Sequence, residues 1–442
     1  MLKYNLVSLF SGCGGLDLGF HQNGFEVEMA CDHFEPAVRV FNRNISNNCF
    51  KLDVSSPEFI QAIKSIGNVD VVLGGFPCQG FSKAGPKKEN DSRNELYKKM
   101  LWAVSTLKPR VFVAENVDGL SQNFGGKVLD QIVSEFSEIG YNVEYRIVDM
   151  AWFGVPQHRR RIIFIGTQSK SPFSWPIPKF EQKFRNGDFK FENTLIQSES
   201  RPLKTIKDAI FDLQELSDKI PDHKITGKWP SNYTKIMSKI REGQKLCNVR
   251  HSPSSVYTWE IPEVFGKVSA KEKIVLETIG KNRRHKKYGN IPNGNPLSRE
   301  DIETLSNQED LSVEIDSLIQ KNYLKEVSGK YDLKGAMFCS GIFKKPKWLE
   351  PSPTVLTNFH NPRYFLHPTQ PRPFSLRECA RLQGFPDDFL FEETGISLID
   401  GYTLVGNAVP PIFSSELAKA VKQYLTKSAP RGILIEASHP SI

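Results

Sequence analysis

The stretch Val69–Ser82, VDVVLGGFPCQGFS, determines how the rest of the chain is interpreted. It begins with an apolar, β-branched run from Val69 to Leu73, which predicts a buried parallel strand. A glycine pair ends this strand, and a proline then stiffens the chain beside Cys78. Because open α/β sheets place their chemistry on loops at strand ends, Cys78 is a candidate nucleophile. An ordinary buried cysteine is the alternative, and this stretch alone leaves both open.

The composition is that of a globular protein that acts in a reducing compartment. At 442 residues the chain is long enough for two domains, and its hydrophobic content of 39% is ordinary. The chain enters a predicted strand at once, and no apolar run approaches the roughly 20 residues that cross a bilayer, so we expect neither a signal peptide nor a membrane span. The seven cysteines are odd in number and form no CxxC pair. We therefore expect no metal site and no disulfide framework.

The net charge of +8 comes from the middle of the chain. Residues 167–372 hold 34 lysines and arginines against 24 aspartates and glutamates, whereas the remainder holds 24 against 26. A basic insert between near-neutral flanks indicates a polyanionic partner such as nucleic acid. A lysine-rich solvated surface would have the same composition, and charge alone does not separate the two.

The densest basic run of this insert is Lys281–Lys287, KNRRHKK. Mutual repulsion predicts that it is extended and exposed, with Arg283, Arg284, Lys286 and Lys287 on DNA phosphates. A helix is predicted over Leu311–Asn322, and a hairpin over Tyr323–Leu333. A helix followed by a hairpin beside basic residues indicates a small winged-helix-like DNA reader.

A glycine-rich turn follows the first predicted strand, Tyr4–Leu9. Glycines at three positions of Phe10–Leu16, FSGCGGL, allow the backbone a tight turn and a close approach to a ligand. Asp32 ends the second predicted strand, 20 positions after Gly12. Nucleotide-binding sheets place a carboxylate for ribose hydroxyls at this distance. The spacing therefore predicts a nucleotide-type cofactor site.

Two further polar segments accompany predicted strands. Glu115 follows the apolar run Val111–Ala114, and a carboxylate there is costly to desolvate unless it has a role. The arginine run Gln157–Arg161, QHRRR, lies between two arms of a predicted hairpin. These arginines either bind phosphate or a polar base edge, or form a solvated loop. Near the C-terminal end, Ser375 predicts the start of a helix that ends at Gly384, and a long helix is predicted from Ile412 to Thr426.

Six segments follow one another along the chain: Phe10–Gly15 (FSGCGG), Pro77–Gln79 (PCQ), Glu115–Val117 (ENV), Gln157–Arg161 (QHRRR), Arg377–Pro386 (RECARLQGFP) and Gly406–Pro410 (GNAVP). In this order they resemble the motifs of the DNA (cytosine-5) methyltransferase family. The resemblance implies an α/β fold, a doubly wound S-adenosylmethionine-dependent methyltransferase sheet with a smaller basic target-recognition domain. It implies a catalytic domain over 1–166, a target-recognition domain over 167–371, a return to the catalytic domain over 372–427 and a tail over 428–442.

The resemblance also implies S-adenosyl-L-methionine as cofactor. The residues that would hold it by motif match are Phe10, Ser11, Gly12, Gly14, Gly15, Leu16, Asp32, His33, Asp53, Val54, Pro77, Leu96, Asn407, Ala408 and Val409. Among these, Asp32 would hold the ribose, and Asp53 would take the adenine amino group. His33 stands where the family prefers a larger aromatic that stacks on adenine.

The implied reaction is methyl transfer to C5 of a flipped-out cytosine in double-stranded DNA. Cys78 would add to C6, Glu115 would bind the base edge, and Arg161 with Arg159 would hold O2. Gln79 and Ser82 would contact DNA. We expect a monomeric, cytoplasmic enzyme of bacterial or phage origin, with a restriction endonuclease that acts on the same site as a candidate partner. A tRNA cytosine-5 methyltransferase and a catalytically inactive DNA-binding regulator are the alternatives.

Overall fold

The computed structural model describes residues 3–77, 96–121, 126–169, 171–182, 201–227, 229–248, 252–291, 294–334 and 341–428. Three residues predicted from the motifs, Cys78, Gln79 and Ser82, lie outside the described residues. The description of the site therefore ends, on this loop, at Pro77.

A seven-stranded sheet forms the centre of the molecule, in the order β3-β2-β1-β4-β5-β7-β6. Its strands are β1 (Tyr4–Leu9), β2 (Phe25–Asp32), β3 (Cys49–Lys51), β4 (Val71–Gly74), β5 (Val111–Val117), β6 (Asn142–Asp149) and β7 (Arg160–Thr167). Strands β1 to β5 run parallel to one another, and β7 runs antiparallel between β5 and β6. The crossover at β1 and β4 creates a crevice at the strand ends, where open α/β sheets bind ligands. The predicted doubly wound sheet is confirmed.

Five helices connect these strands: α1 (Gly15–Gln22), α2 (Glu35–Asn44), α3 (Pro57–Ser65), α4 (Leu96–Leu107) and α5 (Lys127–Glu138). The strands alternate apolar side chains to both faces of the sheet, so each face needs a cover. One face packs on α1 and α2, and the other packs on α3, α4 and α5. The α3 helix begins as its sequence dictates, because the Ser56 hydroxyl accepts a hydrogen bond from the Phe59 amide and Pro57 occupies the first turn.

The middle of the chain is helical with two small sheets. Its elements are α6 (Ile206–Ile210), α7 (Asn232–Lys239), β8 (Lys245–Leu246), β9 (Ser255–Val256), α8 (Pro262–Phe265), α9 (Ala270–Asn282), α10 (Arg299–Ser306), α11 (Ser312–Gln320), β10 (Leu324–Val327) and β11 (Lys330–Leu333). The predicted helix at 311–322 and the hairpin at 323–333 are confirmed as α11 and β10-β11. Two hydrophobic clusters form here, one around α9 to β11 and one around α7 and β8.

The chain then returns to the large sheet through α12 (Leu376–Gln383), α13 (Leu398–Asn407) and α14 (Pro411–Lys427). Ser375 caps α12 and Gly384 ends it with φ +89°, as predicted. The predicted terminal helix is confirmed as α14, which packs along α1. The α13 helix was not predicted, because two glycines interrupt its sequence. A Cβ at either position would lie 2.4–2.5 Å from neighbouring atoms, so these glycines permit close packing.

The hydrophobic clusters cross the predicted domain bounds. Phe173 and Trp175, beyond the bound at 166, pack in the cluster that includes α14. Ile206 and Ile210 of α6 pack in the cluster that includes α12 and α13. The bounds themselves stay a prediction, and the packing shows that residues on either side of them share cores.

Within the described ranges, no helix combines the length and the apolar character that a membrane span requires.

Candidate active site

The glycine-rich turn between β1 and α1 is held in unusual backbone conformations. Phe10 has φ +54°, a value rare for a residue with a side chain, and Gly12 has φ +55°. The Gly12 amide donates to the Asp32 Oδ2 atom at 2.9 Å, and the Phe34 amide donates to Oδ1 at 2.9 Å. The turn and the carboxylate, predicted from their 20-residue spacing, therefore lie in direct contact.

This turn is open on one side and closely packed on the other. Among the described residues, a Cβ built on Gly12 would meet no atom within 4 Å. A Cβ on Gly15, in contrast, would lie 2.3 Å from the Val409 carbonyl oxygen and 3.0 Å from the Ala408 Cβ. The structure thus brings the segment Asn407–Val409 against the turn, and α14 reinforces this contact because the Ser414 hydroxyl donates to the Leu16 carbonyl.

The other residues predicted for the cofactor surround the ends of β2 and β3. The His33 side chain is 82% exposed, with its Nδ1 atom 3.4 Å from Asp32 Oδ1. Asp53 accepts a hydrogen bond from the Ser55 amide at 2.7 Å. Val54 and Leu96 line one cleft of about 410 Å³ between α3 and α4. The Leu52 amide donates to the Asp32 carbonyl at 3.0 Å, so Asp53 follows directly on the residue that joins the end of β2.

The carboxylate of Glu115 forms an ion pair with Arg161. The Arg161 Nε atom lies 2.8 Å from Glu115 Oε1, and both side chains are less than 15% exposed. Glu115 was predicted to follow its strand, but β5 continues to Val117 because β7 pairs along its whole length. The ion pair thus joins two adjacent strands near their ends, where neither partner is free to swing.

The loop that leads to Cys78 passes beside this ion pair. A Cβ on Gly75 would lie 3.8 Å from Glu115 Oε2 and 3.9 Å from the Phe10 carbonyl oxygen. The Asn116 amide donates to the Phe76 carbonyl at 2.9 Å and fixes the loop on β5. Gly75 therefore stands between the glycine-rich turn and the carboxylate, three residues before the predicted nucleophile.

The arginine run is built into the protein. Arg159 is 1% exposed and donates to the carbonyls of Val355 and Gly406, at 3.3 and 3.1 Å. Burial, followed by the neighbouring charge of Arg161, lowers the pKa of the Arg159 guanidinium. The Arg160 Nε atom lies 3.5 Å from Asp118 Oδ2. The solvated-loop interpretation of this run is therefore wrong, and the contacts favour a positioning role for Arg159.

Two buried glutamines connect three motifs. The Gln157 amide donates to Gln383 Oε1 and to the Leu382 carbonyl, and its own oxygen accepts from the Val355 amide at 2.9 Å. Gln383 in turn donates to the Ala408 carbonyl. Sequence reasoning gave no role to Gln383 or Asn116. The sequence did hold a signal for both residues, because each is a polar amide that stands beside apolar residues in a strand or a capped helix.

The cysteines that the structure describes are buried and free. Burial raises the pKa of the Cys13 and Cys49 thiols to about 12 and raises that of Cys31 and Cys379 as well. A buried thiol that keeps its proton is a poor nucleophile. These four cysteines therefore do not compete with Cys78 for a catalytic role.

The basic run Lys281–Lys287 differs from its prediction in one residue and in its shape. It is not extended, because it comprises the end of α9 and a single turn of 3₁₀ helix at Lys286–Tyr288. Arg283 is 4% exposed and forms an ion pair with Asp332 at 2.7 Å. The prediction that Arg283 is available to DNA is therefore wrong. Arg284, Lys286 and Lys287 are exposed.

Three features define a methyltransferase of the doubly wound class. They are the sheet order, the turn bonded to an acidic residue at the end of β2, and the carboxylate–arginine ion pair that joins β5 and β7. The family model of the C-5 cytosine-specific DNA methylase matches residues 4–423, so the chain belongs to this family. It is a DNA (cytosine-5-)-methyltransferase of the type found in type II restriction–modification.

Its relatives match along most of their length. The type II methyltransferase M.BanI of Aneurinibacillus aneurinilyticus is 31% identical over 92% of this chain and 93% of its own. The type II methyltransferase M.NgoFVII of Neisseria gonorrhoeae is 30% identical over 95% of this chain and 86% of its own. A putative DNA modification methyltransferase encoded within an Escherichia coli prophage shares the fold with a TM-score of 0.55 and 25% identity, over 96% of this chain and 100% of that one.

Proposed function

We propose that the enzyme methylates C5 of a flipped-out cytosine in a specific duplex DNA sequence through a covalent bond between Cys78 and C6. The observation that carries this proposal is the position of Gly75, between the Glu115–Arg161 ion pair and the glycine-rich turn. A base bound by the ion pair would lie beside the loop that holds Cys78. Duplex DNA as the substrate follows the name of the family.

The region around the turn fits S-adenosylmethionine. The open space at Gly12 leaves room for a ligand against the backbone, and Asp32 presents a carboxylate beside it. When bound, S-adenosylmethionine supplies an electrophilic methyl group on a sulfonium. Residues Phe10 to Leu16 would hold the cofactor, Asp32 its ribose and Asp53 its adenine, and Asn407–Val409 would close the site.

The chain's own residues would divide the reaction into two easier steps. The Cys78 thiolate adds to C6 of cytosine, and the electron pair of the C5–C6 double bond is displaced towards C5. Carbon 5, made electron-rich in this way, would accept the methyl group that S-adenosylmethionine supplies, and the cofactor's sulfur would keep the electron pair of the broken bond. A base takes the C5 proton, the C5–C6 double bond is restored, and the bond from C6 to the Cys78 sulfur breaks.

Glu115 and Arg161 would orient the ring during these steps. Their ion pair holds both side chains in place at the strand ends, and preorganised groups of this kind cost no reorganisation when the reaction occurs. The carboxyl of Glu115 would bind N3 and the exocyclic amine, and the guanidinium of Arg161 would bind O2. Since C6 is stacked inside a duplex, the cytosine must leave the helix, at a cost of a few kcal/mol that contacts with DNA offset.

The test is a pair of cysteine variants assayed with cofactor labelled in its methyl group. Cys78→Ser should lose methyl transfer and keep cofactor binding, because a hydroxyl is a far weaker nucleophile near neutral pH. Cys379→Ala, at a buried thiol, is the matched control and should stay active if it folds. Wild-type enzyme should form a denaturant-resistant complex with DNA that contains 5-fluorocytosine. Turnover by Cys78→Ser, or no such complex, would refute the covalent mechanism.

Two further assays test the substrate and the biological partner. Methyl transfer to duplex DNA and not to tRNA is expected. Sequencing of methylated cytosines in DNA from cells that make this protein should reveal one short recognition sequence. DNA modified in this way should resist a restriction endonuclease that acts on that sequence, and modification scattered without a common sequence would contradict the proposal.

A further inference from the structure

The segment 270–334 has the topology of a winged helix. The α9 helix is followed by a strand-like residue, Leu297, then by α10, α11 and the β10-β11 hairpin. Leu297 pairs with Tyr331 of β11 through two backbone hydrogen bonds of 2.9 and 2.8 Å. Three helices closed by a hairpin, with one bridge residue between the first two helices in the place of a third strand, follow the arrangement of winged-helix DNA-binding modules. We call residues 270–334 the winged module.

The winged module has its own core and an internal anchor. Its apolar side chains form one cluster that includes Val275, Ile315 and Leu333. Arg283, at the end of α9, reaches Asp332 in β11. A Cβ on Gly294 would lie 2.5 Å from the Arg283 Nε atom, so a glycine is needed where the chain crosses this side chain. Arg283 thus fixes the end of α9 on the hairpin.

The helix that reads DNA in a helix-turn-helix is the second of its pair, which here is α11. Its outward face carries Val313, which is 73% exposed, together with Asp316 and Gln320. The cation that follows its last residue, Lys321, forms an ion pair with Glu272 of α9 at 2.6 Å. A helix with an acidic and apolar outward face is unsuited to the phosphate-lined major groove.

Free positive charge lies at the other end of α9. We define the basic ridge as Arg284, His285, Lys286 and Lys287, all exposed. Seven other cations of the winged module have acidic partners: Lys271, Lys273, Lys281, Arg283, Arg299, Lys321 and Lys325. Among the described residues, no ion pair joins the ridge cations to a carboxylate. At 1.5 Å per residue, α9 ends about 15 Å along its axis from Glu272, where α11 packs, and the ridge begins just beyond that end.

We propose that the winged module binds DNA through the basic ridge and that its helix-turn-helix face does not contact DNA. This inference rests on the proposed function, in that duplex DNA is the substrate. Arg284, Lys286 and Lys287 would contact phosphates, which carry no sequence information, so the ridge would add affinity and leave the reading of bases to other parts of the chain. The module keeps the fold of a DNA reader and uses the opposite end of its first helix.

The test compares ridge and helix variants by fluorescence anisotropy with a 30-base-pair duplex of arbitrary sequence. Each phosphate contact contributes roughly 0.9 to the slope of log affinity against log salt concentration. The variant R284A/K286A/K287A should therefore flatten this slope by about two to three. Methyl transfer at low salt and saturating DNA should persist, because Glu115 and Arg161 lie in the large sheet.

The matched variant D316K/Q320K adds two cations to the exposed face of α11. If α11 faces away from DNA, its salt slope should equal that of the wild type, and if α11 faces DNA the slope should steepen by about two. An unchanged slope in the ridge variant, or a steeper slope in D316K/Q320K, would overturn the proposal. If the wild-type enzyme transfers methyl groups to DNA and the ridge variant keeps the wild-type salt slope, this inference is refuted and the proposed function stands. Wild-type enzyme that transfers none would refute the proposed function.

Discussion

Two arginine-rich runs of the chain have opposite environments. The run Gln157–Arg161 lies inside the protein, and the structure gives each of its arginines an acceptor in the fold, from the carbonyls at Arg159 to the carboxylate at Arg161. The run Lys281–Lys287 lies on the surface and holds one buried member, Arg283. Both runs are strongly basic as sequence, with three arginines in five residues and five lysines or arginines in seven. The difference shows that the charge of a run does not reveal its role, whereas the acceptors around each guanidinium do.

The physical reason for the difference is the cost of burying a charge. A guanidinium removed from water must find acceptors, so a buried arginine is committed to the groups around it. An exposed arginine keeps its hydration until a polyanion replaces it. The arginines of the first run therefore hold parts of the fold in position. Those of the second run, apart from Arg283, remain available to a partner.

The largest expected effect separates two neighbours within one run. Arg283→Met should lower the free energy of unfolding of the winged module by about 3–5 kcal/mol, because Asp332 would be left with one distant lysine partner. Arg284→Met should change it by less than about 0.5 kcal/mol, because this side chain is exposed. Urea denaturation measures both. Equal stabilities of the two variants would remove the distinction between buried and exposed members.

The second prediction concerns the arginine that faces the catalytic residues. Arg161→Ala should reduce kcat by about 10²–10³-fold, equivalent to roughly 2.7–4 kcal/mol, because one preorganised donor to the base is lost and Glu115 is left alone. Steady-state methylation assays give kcat, and cofactor binding serves as the control for folding. A variant with wild-type kcat would mean that this ion pair is structural and that the first run has no catalytic member.

A third prediction extends the comparison to Asp17, a buried acid on α1. Burial raises the pKa of Asp17 to about 7, and the Ser8 hydroxyl lowers it in part. The native carboxyl therefore keeps its proton where the unfolded chain loses it, near 3.8. The free energy of unfolding should fall as the pH rises from about 4 to 7 and remain level above that.

Asp17→Asn should abolish this pH dependence. Between pH 4 and pH 8, the free energy of unfolding of the variant should rise by about 2–3 kcal/mol relative to that of the wild type. A pKa that differs by about three between the folded and the unfolded chain would give roughly 4 kcal/mol in full. Thermal unfolding across this pH range measures the difference. A variant and a wild type with parallel pH profiles would show that Asp17 has compensating partners, as the buried arginines do.

The smallest effect is expected for a substitution that keeps the charge. Arg159→Lys should cost about 1–2 kcal/mol of unfolding free energy, because an ammonium group does not reach both carbonyls that the guanidinium fork reaches. Its kcat should fall with little change in the KM for cofactor, since Arg159 fixes the chain two residues before Arg161 through the Val355 and Gly406 carbonyls. Unchanged stability with lost activity would instead indicate that Arg159 contacts the base, as its motif predicts.

The centre of the large sheet was predictable from the sequence because strands such as β4 and β5 begin as short, fully buried apolar runs. The contact between Gly12 and Asp32 was predictable, because about 20 residues form a helix and a parallel strand that returns the chain to the same edge of the sheet. The ion pair of Glu115 with Arg161 was not, since its register depends on how far β7 extends along β5.

In the middle of the chain, the helices and strands were predictable from the sequence, whereas the exposure of individual side chains was not. Local patterns identified α11 and the hairpin, because helix periodicity and a Ser-Gly turn are encoded within a few residues. The burial of Arg283 depends on Asp332, 49 positions later, and on a glycine that lets the chain cross the guanidinium. Long-range partners of this kind leave no local pattern, so an extended basic run was the natural but mistaken expectation.

The junction of Gln157, Gln383 and Ala408 has a consequence for how the enzyme responds to its surroundings. Its members are uncharged amides and a carbonyl, shielded from solvent. Ionic strength and pH therefore have little effect on these hydrogen bonds, whereas both alter interactions with a polyanion. Salt that releases nucleic acid from the surface would leave the alignment of the motifs intact, so the enzyme would regain full competence at its next encounter without refolding any part of its centre.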